Sequence, residues 1–208
     1  LVYSTFLGGN SSEGCAGIAV DKVGQAYVTG WTWNSDVRNF PTTPGAYDVT
    51  YNGGSEAFVT VLNLAGSDLV YSTFLGGSGN DYGESIVVDE VGRAYVGGYT
   101  HFGYAGDFPT TPGAYDITHN GDWDAYVAML NADGTSLLYS SFLGGSSDDR
   151  TMDVALSESG QIQVGGYTHS SNFPTTPGAY DTTYNGGWDA FVSVLDCQPG
   201  DIIVTKVV

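Results

Sequence analysis

The chain repeats itself at a fixed interval, and that limits its folds more than any other feature. Pro-Thr-Thr-Pro-Gly-Ala-Tyr-Asp occurs three times without change, at Pro41–Asp48, Pro109–Asp116 and Pro174–Asp181. Leu1-Val-Tyr-Ser-Thr-Phe-Leu-Gly-Gly returns at Leu69 and, as Leu-Leu-Tyr-Ser-Ser-Phe-Leu-Gly-Gly, at Leu137, a step of 68 residues each time. A period of this size marks an array of one supersecondary unit, stacked so that neighbours cover each other's apolar faces. The repeats are 1–68, 69–136 and 137–201, followed by the short segment 202–208.

Each repeat carries four strand signals. Leu69–Leu75 alternates Leu69, Tyr71, Thr73 and Leu75 with Val70, Ser72 and Phe74, and Gly76-Gly77 ends it. Ile86-Val87-Val88, matched by Ile18-Ala19-Val20 and Val154-Ala155-Leu156, is apolar on both faces and therefore reads as a strand covered on both sides. A turn with Gly24, Gly92 or Gly160 leads into the third strand, Ala26–Thr32, Ala94–Thr100 or Ile162–Thr168. The fourth is Ala57–Leu62, Ala125–Leu130 or Ala190–Leu195. Between the third and fourth strands lies the long connection that holds the octapeptide. Its Thr-Pro-Gly-Ala-Tyr part predicts a short helical turn, with Thr43, Thr111 or Thr176 as N-cap and the next Pro at the first helical position.

Short antiparallel strands at this period, with both faces apolar, describe an all-β fold: a β-propeller-type array of three four-stranded blades, part of a larger propeller or assembly. Tyr-Ser-Thr-Phe-Leu-Gly-Gly, Ala-Tyr-Val-Thr-Gly, Phe-Pro-Thr-Thr-Pro-Gly-Ala-Tyr and Asn-Gly-Gly-x-x-Ala-Phe-Val resemble the bacterial "seven-bladed β-propeller" (SBBP) repeat family, through about Leu195. The resemblance implies extracellular or surface-attached proteins, often large and multidomain. It implies no reaction.

Counting strands raises a question of phase. Three repeats give twelve strands, and Ile202–Val208, which sits where the next Leu-Val-Tyr strand would fall, makes thirteen. That segment also resembles the opening of Ig-like domains; it is expected to finish the last blade. If hairpins define the blade, Leu69–Leu75, Leu137–Leu143 and Ile202–Val208 are outer strands, and Leu1–Leu7 is left over. The expectation is that Leu1–Leu7 pairs with a strand of another blade or another chain. A start at Leu1, without Met or a signal peptide and inside a strand pattern, points to a processed or excised piece.

Charge narrows the partners. The 23 Asp and Glu against five Lys and Arg give a net charge of −18, which repels phosphate backbones, so no nucleic acid is expected. No run of residues is long and apolar enough to insert in a membrane as a helix. Acidity suits a secreted or cell-surface location, with glycans or surface proteins as partners.

Carboxylates follow the Gly-Gly turns, at Asp81 and Glu84 and at Asp148, Asp149 and Asp153, and are candidate calcium ligands. Calcium takes about six to eight oxygens, some of which Gly-rich turns supply from their carbonyls; solvated turn residues are the competing reading. Glu56, Asp124 and Asp189 stand in register before the fourth strand, where a buried acid can accept backbone N–H bonds and lock the connection. Trp123 and Trp188, with Tyr99 and Tyr167, are candidate glycan contacts, set against packing between blades. Tyr47, Tyr115 and Tyr180 are expected to pin the octapeptide to its blade. Cys15 and Cys197 have no counterparts in the other repeats and are disulfide candidates within or between chains, or else free thiols. No nucleophile elbow, phosphate loop or His-Glu-x-x-His occurs, so no enzyme and no cofactor beyond a candidate calcium are expected. The reading is a non-catalytic scaffold or adhesion module; the alternatives are a fibre-forming protein that shares strands between chains, and a polysaccharide-acting propeller enzyme.

Overall fold

A computed structural model describes residues 1–33, 40–101 and 107–197. Eleven strands and no helix occur among them: β1 (Ser12–Val20), β2 (Ala26–Trp33), β3 (Ser55–Leu62), β4 (Leu69–Leu75), β5 (Asn80–Val88), β6 (Ala94–His101), β7 (Trp123–Leu130), β8 (Leu137–Leu143), β9 (Asp149–Leu156), β10 (Ile162–Thr168) and β11 (Asp189–Leu195). They form three antiparallel sheets in the orders β1-β2-β3-β4, β5-β6-β7-β8 and β9-β10-β11. The sheets stack like propeller blades, with the leading strand β5 packed on blade one and β9 on blade two.

Blade and sequence repeat are out of phase. Leu69–Leu75 opens the second repeat yet closes the first blade, and Leu137–Leu143 does the same one period on. Leu1–Leu7 forms no strand and pairs with none among the described residues. The expected strand at Ile202–Val208 lies outside the described residues.

Two apolar cores fill the blade junctions. Tyr27, Val59, Val61, Tyr71 and Leu75 of blade one pack against Ile86, Val96, Tyr126, Leu130 and Phe142 of blade two. Tyr95, Val127, Met129 and Leu143 of blade two meet Val154, Ile162, Val164, Phe191 and Leu195 of blade three. Alternate residues of one strand thus enter different cores, which is why β3 and β7 carry apolar residues on both faces.

The second strand signal understated its element. β5 begins at Asn80 and β1 at Ser12, so the acidic segments after Gly-Gly are strand. Each leading strand bulges, between Cys15 and Gly17 and between Gly83 and Ser85, with a matching irregularity opposite β9 at Gly165 and Gly166. Beside the bulge the facing carbonyl comes so close that a Cβ on Gly30, Gly98 or Gly166 would overlap it.

The octapeptide departs from the helical turn that its sequence suggests. Ala46, Ala114 and Ala179 donate their amides to the carbonyls of Thr43, Thr111 and Thr176 at 3.1 Å, and Gly45, Gly113 and Gly178 have φ near +83°, +82° and +83°. These are type II turns, with Pro at the second position and Gly supplying the positive φ at the third. The turn lies along the outer strand. Thr43 N donates to Ser72 O (3.0 Å), Ser72 N donates to Thr43 Oγ1 (3.0 Å), and Phe74 N donates to Asp48 O (2.9 Å). Thr111, Ser140, Asp116 and Phe142 repeat this pattern on β8.

Candidate recognition surface

The buried acids hold the rim on which the aromatic rings stand. Glu56 and Asp124 are fully buried at the starts of β3 and β7. Glu56 accepts from Asn52 N (2.9 Å), and Asp124 from Asn120 N (2.6 Å) and Gly121 N (3.0 Å). Asp189 accepts from Asn185 N at 2.7 Å. Each therefore closes the end of the long connection onto the strand that follows.

A second register of acids grips the Gly-Gly turns. Asp81 accepts from Gly77 N (2.8 Å) and from Thr100 Oγ1; Asp149 accepts from Gly145 N (2.6 Å), Ser170 Oγ (2.8 Å) and Thr168 Oγ1. Burial pushes the Glu56 carboxyl up to about 8, with Asp48 and Asp81 adding to it and the Asn52 bonds opposing. Burial likewise raises Asp124 to about 7, helped by Asp149, and Asp81 to about 6, helped by Asp107. Asp149 is raised from the same first cause.

The five candidate calcium ligands fall into separate environments. Asp81 and Asp149 are occupied by turn and strand donors. Asp153 accepts from Ser85 Oγ at 2.7 Å across the junction of blades two and three. Glu84 accepts from the Tyr99 hydroxyl, and Asp148 lies 3.9 Å from Arg150 Nη2. Among the described residues, no group of three or more His, Cys, Asp or Glu is placed to hold a metal ion.

The aromatic candidates do gather. On the rim of blade two, Tyr99 lies 5.3 Å from Trp123, and Tyr82 stacks on Tyr99 at 5.1 Å and meets Trp123 at 5.9 Å. His101 covers another side of Trp123 at 4.6 Å, and Trp31 of blade one reaches Tyr82 at 6.2 Å. From blade three, Arg150 sets its guanidinium carbon 4.8 Å from the Tyr99 ring and 5.0 Å from Trp123. All of these side chains are half-buried and packed on one another. Blade three repeats the motif with Tyr167 and His169 around Trp188, at 4.9 and 5.1 Å, and there Trp188 is 52% exposed.

Tyr82 and Arg150 are not among the residues that the sequence singles out. They occupy one register position, with Gly14 as the third member. That position lies in the segment after Gly-Gly where the repeats differ, and the divergence itself was the available signal.

The tyrosines of the octapeptide do not share one role. Tyr47 is partly buried against the first core, and its amide donates to Gly134 O of the next blade at 2.8 Å. Tyr115 is 44% exposed and Tyr180 107% exposed, so neither ring is buried against its blade. The pinning is done by Thr43, Thr111, Asp48 and Asp116, because polar groups on a connection can satisfy an open strand edge and a ring cannot. Cys15 is free and exposed on β1, while Cys197 is free and buried in the second core, so no bridge joins them.

Two stretches, residues 2–36 and 70–105, match the beta-propeller repeat family. No curated protein matches the chain. No helix among the described residues is long and apolar enough to cross a membrane.

Proposed function

We propose that this chain, which carries the beta-propeller repeat, is a non-catalytic scaffold of the cell exterior whose blade rim recognises carbohydrate. One observation carries the reading: Tyr82, Tyr99 and Trp123 form a continuous ring surface, with Arg150 laid over two of them. The ring surface left to solvent contacts the C–H faces of a sugar, and a guanidinium fork donates to its hydroxyls. Glu84 and Asp148 balance the charge of Arg150, which favours a neutral glycan over an acidic one. The strongly acidic exterior is consistent with a soluble extracellular surface.

The test is a glycan array followed by titration of Trp fluorescence with each neutral oligosaccharide that binds. Trp123→Ala is expected to weaken binding roughly five- to tenfold, since such a ring contact contributes about 1–1.5 kcal/mol. Release of shortened sugars would replace this reading with the polysaccharide-acting enzyme. Unchanged affinity in Trp123→Ala would move the binding surface elsewhere.

A second reading, a fibre-forming protein that shares strands between chains, is favoured by the N-terminal segment. Leu1, Val2 and Phe6 are fully exposed, at 109%, 101% and 104%, in a heptapeptide identical to the β4 strand.

A further inference from the structure

The N-terminal heptapeptide has the sequence of an outer strand and already occupies an outer strand's place beside the following blade. Tyr3 lies on Gly66 as Tyr71 lies on Gly134, so that a Cβ at either glycine would run into the ring. A Cβ on Gly8 would meet the Glu13 carboxyl, as one on Gly76 meets Asp81 and one on Gly144 meets Asp149. Leu7 packs on blade one beside Val28, Phe58 and Phe74. Yet among the described residues the segment has no strand partner, whereas β4 and β8 have β3 and β7.

Blade three shows the complementary lack. Among the described residues its last strand, β11, has a neighbour on one side only. In blade one Phe40, Phe58 and Phe74 form a ring trio, with Phe40 at 4.5 Å from Phe58 and 5.8 Å from Phe74; Phe108, Tyr126 and Phe142 repeat it at 4.3 and 5.8 Å. In blade three Phe173 and Phe191 make the first contact, at 4.4 Å, and the outer-strand ring would be the third. The octapeptide there keeps its turn but stays exposed from Thr176 to Asp181.

The end faces complement each other in the same sense. Ile18 is 67% exposed, while its register mates Ile86 and Val154 are each 4% exposed under the preceding blade. Val192 is 82% exposed, while Val59 and Val127 are fully covered by the next blade. A Cβ on Gly97 would press on Val154 of blade three, and one on Gly165 would meet nothing within 4 Å.

We infer that Leu1–Leu7 of one copy of this chain, rather than Ile202–Val208, which has no aromatic residue for the Phe6 position, is the outer strand of the third blade of another copy, paired antiparallel with β11. The β3–β4 register transfers directly. It sets Leu7 opposite Ala190, Phe6 opposite Phe191 and Thr5 opposite Val192. Phe6 then completes the ring trio with Phe173 and Phe191. The amide and hydroxyl of Thr176 and the carbonyl of Asp181 take the outer edge at Ser4 and Phe6, as the same groups of Thr43 and Asp48 do at Ser72 and Phe74. The contact is head-to-tail, so each copy donates at one end and accepts at the other, and the product is a ring or a filament. The inference is independent of carbohydrate binding.

Light scattering over a concentration series tests it, with hydrogen exchange read on the same samples. Mass should rise above that of one chain, and exchange at residues 190–195 and 174–181 should slow as it does. Thr5→Pro removes an amide from the donated strand, and Phe6→Asp removes its ring. Both residues lie outside the chain's own sheets, so the blades should keep their thermal unfolding while the mass stays at one chain. Trp123→Ala should associate like the parent. A parent chain that stays single at every concentration overturns the proposal, as does association of Thr5→Pro or Phe6→Asp equal to the parent's.

Discussion

Asp124 and Asp149 face each other across Gly144 at the junction of the second and third blades. A Cβ on that glycine would stand 2.7 Å from Asp149 Oδ2 and 3.3 Å from Asp124 Oδ1. Both carboxyls are fully buried, each belongs to a different blade, and each holds its own turn through backbone amides. Glu56 and Asp81 are coupled in the same way one junction earlier. A propeller junction built on carboxyl pairs answers to pH in a definite direction.

The folded-state values of Glu56, Asp124 and Asp81, about 8, 7 and 6, lie above the value of about 4 for an unfolded carboxyl. The folded protein therefore holds more protons than the unfolded chain across that range, and stability falls as pH rises. The contribution is complete below about pH 4 and is lost in succession as pH passes about 6, 7 and 8. The His119 ring, 3.9 Å from Asp124, is kept below its ordinary value by burial, a shift that acts in the opposite sense to the three carboxyls and offsets part of the decline below about pH 6.5. Melting temperature is expected to decline from pH 5 to pH 8 at constant ionic strength. A rise over that interval contradicts the assignment.

Removing the acid tests its structural role apart from its titration. Asp124→Ala strips the acceptor from Asn120 N and Gly121 N, and a buried donor left unsatisfied costs about 1–3 kcal/mol. Urea unfolding should show a loss in that range or above it. Asp189→Ala, at a partly exposed position, should cost less.

The three octapeptide tyrosines are one sequence in three settings and should give a graded series. Tyr47→Ala, which empties part of the first core, is expected to cost roughly 2 kcal/mol. Tyr115→Ala should cost less, and Tyr180→Ala should fall within about 0.5 kcal/mol of the parent when measured on dilute, single chains. Three equal losses by chemical denaturation would contradict the burial pattern.

Glycines separate in the same manner. A methyl at Gly98 would overlap the Tyr82 carbonyl, and relief requires backbone movement, so Gly98→Ala should cost about 1–3 kcal/mol or prevent folding. Gly165→Ala, with open space beside it, should leave the melting temperature of the single chain unchanged or slightly raised.

Taken alone, the sequence determined the period, the existence of the strands and their turns. Those features rest on contacts near in the chain and on period-two alternation, as at Ala94–Thr100 or in the turn after Asp89. It also supplied the register of equivalent residues, through which Glu56, Asp124 and Asp189, or Trp123 and Trp188, could be named together. The tertiary structure decided what those residues meet. Asp81 and Glu84, and one repeat on Asp149 and Asp153, look like clusters in the sequence, but Asp81 and Asp149 each hold a turn, Glu84 a tyrosine and Asp153 a serine of the neighbouring blade. Identical octapeptides receive different burial because each is covered by the blade that follows its own. Tyr82 and Arg150 join one surface although 68 residues separate them. A repeat pattern encodes each blade's own faces and edges; which of them are covered depends on partners one period away.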